Sequence, residues 1–133
     1  MNILPLLTPK KDIEYLYADF SVRQALEKMD FHRFGTVPVI ERNTGRYLYS
    51  LSEGDFLWYW KDKGLSFEEL GRLPLSEIPS SREMLSVGVE CQLEELYPLI
   101  SQQNYVPVVD DQNVLIGIVR RQSVVSYLVQ NKQ

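Results

Sequence analysis

With 133 residues, a net charge of −4, 44% hydrophobic and 24% charged residues, the chain has the make-up of one globular domain or two half-domains sharing a core. That balance offers no basic stripe for nucleic acid and no polybasic patch for anionic lipid, which excludes both as partners. Cys91 is the only cysteine, so an internal disulfide is ruled out and a reducing, cytoplasmic setting is expected.

The opening Met1-Asn2-Ile3-Leu4-Pro5-Leu6-Leu7-Thr8-Pro9 is apolar but short, uncharged at its start and broken by prolines. It does not read as a signal peptide, and no apolar run approaches the roughly 20 residues of a membrane span. Residues 13–17 alternate weakly, as a short strand does. Ser21 and Gln24 then stand three apart, the spacing of a capping box, and Val22, Ala25, Leu26 and Met29 continue at helical spacing, which predicts a helix over 22–30. A strand over 36–41 meets the turn Asn43-Thr44-Gly45 and returns over 46–51. Ser52 caps a second helix with Phe56, Leu57, Tyr59 and Trp60 on its apolar side. Residues 62–72 are polar and read as a linker carrying one short helical turn. A strand over 85–89, a helix marked by Leu93, Leu96, Leu99 and Ile100, a strand pair over 105–110 and 114–119, and a closing helix over 122–130 complete the chain.

The second half replays the first. Val37-Pro38-Val39-Ile40-Glu41 returns as Val106-Pro107-Val108-Val109-Asp110, an offset of 69, each copy followed by a turn and a second apolar run. The leading strands and helices align at 71, so the first copy carries two extra residues near His32-Arg33-Phe34-Gly35. The layout is therefore residues 1–61 as the first repeat with its leading segment, 62–74 as linker and 75–133 as the second repeat. Each repeat reads β-α-β-β-α, an α/β (α+β) sandwich with strands on one face and two helices on the other.

Enzymatic readings find no support. One histidine and one cysteine leave no zinc site, no Gly-x-Ser-x-Gly or Gly-rich phosphate loop is present, and the pairs Glu94-Glu95 and Asp110-Asp111 read as solvated surface. No catalytic residue, metal or cofactor is assigned. The sharpest local feature is Ser52-Glu53-Gly54-Asp55 at a strand-to-helix junction. As a plain N-cap with an acid in the first turn, it stabilises the helix by about 0.5–2 kcal/mol. The same groups suit a sugar phosphate, because a carboxylate accepts two hydroxyls and a helix start faces an anion. Arg120 and Arg121 read either as solvated side chains or as partners of phosphate, for which a guanidinium fork is suited. His32 and Arg33 stand in the same relation to the Thr36-Val37-Pro38 strand.

The doubled Val-Pro-Val strands, the helix spacing ahead of them and Ile116-Gly117-Ile118-Val119 together resemble the CBS domain, the regulatory domain of the cystathionine beta-synthase type, in tandem as a Bateman module. The resemblance covers nearly the whole chain. It implies a pseudo-two-fold pair of β-α-β-β-α units with clefts between them for an adenosine-type ligand such as AMP, ADP, ATP or S-adenosylmethionine. Ser52 and Asp55 match the family's phosphate- and ribose-binding pair. Ile13, Tyr15, Thr36, Val37 and Pro38 match its adenine slot, although ordinary core packing explains the same five residues. The second copy has Arg120 and Ser123 at the Ser52 and Asp55 positions and so lacks the carboxylate. The first has Tyr49 where the second has Gly117, a ring that would crowd the first cleft. The family also implies a homodimer through helices such as 56–60, whose apolar residues lie on more than one face; a monomer with residues 1–7 over those aromatics is the other arrangement. Two functions follow: a regulatory sensor of an adenine nucleotide acting on an unnamed partner, or a structural module whose nucleotide sites have decayed.

Overall fold

The computed structural model describes residues 1–32, 35–81 and 83–131. They form two compact units, Glu14–Glu83 and the discontinuous pair Met1–Ile13 with Met84–Gln133. Each unit is a small sheet backed by helices, a mixed α/β arrangement.

In the first unit a two-residue strand β2 (Leu16–Tyr17) runs parallel to β3 (Thr36–Ile40), and β3 pairs antiparallel with β4 (Tyr47–Ser52). The turn between β3 and β4 places Gly45 at φ 76°, left-handed backbone that glycine adopts without a Cβ clash. Helix α1 (Val22–His32) opens on the Ser21–Gln24 capping box: the Ser21 N–H donates to Gln24 Oε1 at 2.8 Å and the Gln24 N–H to Ser21 Oγ at 3.2 Å. Helix α2 (Glu53–Lys63) turns Phe56, Tyr59 and Trp60 toward a core of Leu16, Val22, Val37, Val39 and Leu51. Those three residues stand at i, i+3 and i+4. Leu57, expected among them, lies with Trp58 on the opposite side, 55% and 58% exposed. The stretch expected as linker carries helix α3 (Phe67–Arg72), capped by Ser66 and Glu69, and its Leu70 is buried in the same core.

The second unit repeats the plan. Strands β5 (Val87–Gly88), β6 (Tyr105–Val109) and β7 (Leu115–Arg120) pair in the same sense as β2, β3 and β4, and both hairpins shift register at the same point. Helices α4 (Leu93–Ile100) and α5 (Arg121–Gln130) back the sheet. The sheet gains a fourth strand, β1 (Thr8–Pro9), antiparallel to β7.

Strand β1 belongs to an exchange that the repeat alone does not reveal. Residues 1–13 precede the first repeat yet pack in the second unit. The Leu93 N–H donates to Met1 O at 2.8 Å, the Ile3 N–H to Cys91 O at 3.2 Å, and Ile3 is buried in the second core. The segment ahead of the second repeat does the reverse. The Val22 N–H donates to Leu73 O at 2.8 Å, the Leu75 N–H to Phe20 O at 2.9 Å, and Leu75 is buried in the first core. Each leading segment thus supplies one apolar plug and a carbonyl for the first free N–H of a helix in the other repeat.

Candidate functional site

Ser52 ends β4 with extended backbone, φ −106° and ψ 162°, which frees its side chain to cap α2. The Asp55 N–H donates to Ser52 Oγ at 3.3 Å, and the Ser52 N–H donates to Asp55 Oδ2 at 2.8 Å. Asp55 is only 6% exposed. Burial of a carboxylate is tolerated here because Oδ2 and Oδ1 each accept a backbone N–H and the positive end of α2 lies beside it. The Oδ1 partner is the Ser81 N–H, at 3.0 Å. One residue earlier the Ser80 hydroxyl donates to Ser50 O at 2.8 Å, and Ser50 Oγ lies 2.9 Å from the Tyr47 hydroxyl. Residues 80 and 81 therefore strap the β4–α2 junction. Sequence reasoning missed them, since nothing local marks a serine pair that bonds back about 26 to 30 positions.

The other expected site residues divide. Thr36 stands opposite Ser52 and Pro38 opposite Ser50 in the β3–β4 register, so these four share one face of the sheet. Val37 points the other way and is a core residue, as strand alternation requires. Tyr15 belongs to an edge-to-face stack with Tyr17 and Phe20, with Lys28 4.7 Å from the Tyr15 ring centre and Arg42 4.0 Å from that of Tyr17. A hydrogen bond with Tyr17, then partial burial, pushes the Tyr15 hydroxyl pKa up. Ile13 is buried in the other unit. The side chain of His32 and the whole of Arg33 lie outside the described residues.

Tyr49 packs against the first core, and burial pushes its hydroxyl pKa up. Its counterpart is glycine for a packing reason: a Cβ on Gly117 would lie 2.3 Å from Thr8 O, because β1 crosses β7 there. Arg121 has a structural role within its own unit. Its Nε donates to Ile100 O at 2.8 Å and so satisfies a carbonyl at the end of α4. Arg120 is the N-cap residue of α5 without a side-chain cap bond, and its buried Nε finds no hydrogen-bond partner among the described residues. A cavity of about 340 Å³ in the second unit is lined by Val87, Gly88, Glu90, Cys91 and Glu95. Burial, reinforced by Glu95, pushes the Cys91 thiol up to about 11, so it is not a thiolate at neutral pH. Among the described residues no group of three or more His, Cys, Asp or Glu is placed to hold a metal ion, and no helix is long and apolar enough to cross a membrane.

The duplicated sheets match the CBS domain family model twice, over residues 6–62 and 75–130. The chain belongs to the CBS domain family. No curated protein matches this CBS pair in sequence. Among solved structures it is similar to CbpB in complex with c-di-AMP, at 20% identity and a TM-score of 0.86, covering 98% of this chain and 85% of that one. A hypothetical conserved protein from Geobacillus kaustophilus gives 19% identity and a TM-score of 0.87, with 98% and 97% covered. CBSX2 in complex with AMP gives 26% identity and a TM-score of 0.77, with 99% and 98% covered.

Proposed function

We propose that this CBS pair is a non-enzymatic regulatory module that senses an adenosine-type nucleotide such as AMP, ADP, ATP or S-adenosylmethionine. Asp55 receives the ribose hydroxyls, and Ser52 with the start of α2 faces the phosphate. The observation that carries this reading is the state of the Asp55 carboxylate. Among the described residues each oxygen accepts one backbone N–H, and a carboxylate oxygen accepts two, so each keeps one acceptor place for a hydroxyl once a sugar reaches it. Thr36 and Pro38 share the sheet face of Ser52, where the rest of the nucleoside would lie. CbpB and CBSX2, solved with c-di-AMP and AMP, support the ligand class. Arg120, with no partner for its buried Nε among the described residues, and Arg121, whose Nε donates to Ile100 O, belong to the other unit. The module acts in the cytoplasm on a partner protein whose activity it adjusts.

The rival reading, a structural module, has its own observation: Ser123 replaces the carboxylate in the second copy, so the family's ribose acceptor occurs once. A thermal-shift panel of AMP, ADP, ATP, S-adenosylmethionine and c-di-AMP separates the two. A compound at 100 times its dissociation constant adds about 2.7 kcal/mol, several degrees for a domain of this size. Asp55→Ala is expected to abolish the shift and Ser123→Ala to leave it nearly intact. A panel in which no compound moves the melting curve favours the structural module.

We assign the exposed apolar side chains of α2, Leu57 and Trp58, and of α5, Val125, Leu128 and Val129, to contacts in a homodimer. Light scattering is expected to give a dimer for the unmodified chain and a monomer for Trp58→Glu. A monomer in both cases refutes the assignment.

A further inference from the structure

We propose that Ser80 and Ser81 form an autoinhibitory strap, which must leave Asp55 before the carboxylate can take a ribose diol. The proposal rests on the reading of Asp55 as the ribose acceptor and adds a control to it. Two observations point the same way. A carboxylate 6% exposed is out of reach of a sugar as it stands, and one of the groups in contact with it is the Ser81 peptide, whose N–H donates to Oδ1 at 3.0 Å. The neighbouring Ser80 hydroxyl fastens the same two residues to β4 through Ser50 O at 2.8 Å. That second bond has no part in capping α2, because Ser52 and Asp55 complete the capping box between themselves.

The strap belongs to the first unit but sits just before the chain passes into the second, at Met84. The closed strap lowers apparent affinity by the fraction of molecules in which it is open. Weakening the strap therefore strengthens binding, the opposite of the usual effect of removing hydrogen bonds near a site.

The test is titration calorimetry of the full chain with AMP, with ATP and with S-adenosylmethionine, comparing the unmodified protein, Ser81→Pro and Ser80→Ala. Ser81→Pro removes the donated N–H and Ser80→Ala removes the hydroxyl, and Ser80→Ala covers the case in which the proline variant fails to fold. The expected result is binding tighter by about tenfold in Ser81→Pro, equivalent to about 1.4 kcal/mol, with a smaller gain in Ser80→Ala. The Ser81 amide should also exchange faster with deuterium when ligand is added. A variant that binds where the unmodified chain does not also supports the strap. Equal affinities in all three proteins, or a Ser81 amide that stays protected under saturating ligand, overturn the strap and leave nucleotide sensing standing. Absence of binding in all three with all three compounds overturns both.

Discussion

Ile3→Ala is expected to lower stability by about 2–5 kcal/mol, a core-sized loss from the third residue of the chain. Ile3 is fully buried among Leu93, Leu96, Val106 and Val119 of the second unit, and backbone bonds on both sides hold it there. Its truncation removes buried methyl groups from that core and leaves a cavity. Leu75→Ala should cost about the same, because Leu75 fills the matching place in the first core. Leu4, which follows Ile3 but is 46% exposed, is the control, and Leu4→Ala should stay within about 0.5 kcal/mol. Urea unfolding measures all three. Equal, small losses would mean that the leading segments lie on the surface and stabilise nothing.

Gly117→Ala is expected to destabilise the second unit by about 1–3 kcal/mol or more, although it adds one methyl group. The new Cβ would stand 2.3 Å from the Thr8 carbonyl oxygen and 2.9 Å from a Leu7 methyl. Since the carbonyl is backbone, no rotamer change relieves the contact. Strand β1 must lift from β7, and the leading segment that carries Ile3 is displaced with it. Gly54→Ala is the comparison: its Cβ would meet nothing closer than 3.7 Å, and alanine in a helix should be neutral or favourable by about 0.5–1 kcal/mol. A Gly117→Ala protein that melts with the unmodified chain would refute the β1–β7 pairing.

The sequence made the repeated hairpins legible because Val-Pro-Val recurs in register and β3 and β6 are short apolar runs bounded by turn residues, as buried strands are. The Ser21–Gln24 and Ser52–Asp55 capping boxes were legible for a local reason: a serine with an acceptor side chain three residues on, ahead of an apolar helical pattern, fits a helix start. The exchange of leading segments was not. It depends on a two-residue strand and on single-turn 3-10 helices at Leu4–Leu6 and Leu75–Glu77, too short to carry any periodicity. Leu57 was misplaced because five consecutive apolar residues, Phe56 to Trp60, give no phase, and packing chose Phe56, Tyr59 and Trp60 for the core. Tyr49 is half-buried against the first core, and Gly117 makes room for β1, a packing demand that no local pattern announces. At Asp55 the spacing specified the cap but carried no trace of Ser81, since a backbone N–H looks the same in every residue.

Nucleotide sensing by this CBS pair rests on a carboxylate that recognises two sugar hydroxyls. The most direct measurement is calorimetric titration of the unmodified chain with AMP and with 2′,3′-dideoxy-AMP, which differ only in those hydroxyls. Two hydrogen bonds to an ionised group should make the dideoxy compound bind at least about tenfold more weakly. Equal affinity for the two compounds would contradict it, for Asp55 would then be the cap of a helix and nothing more.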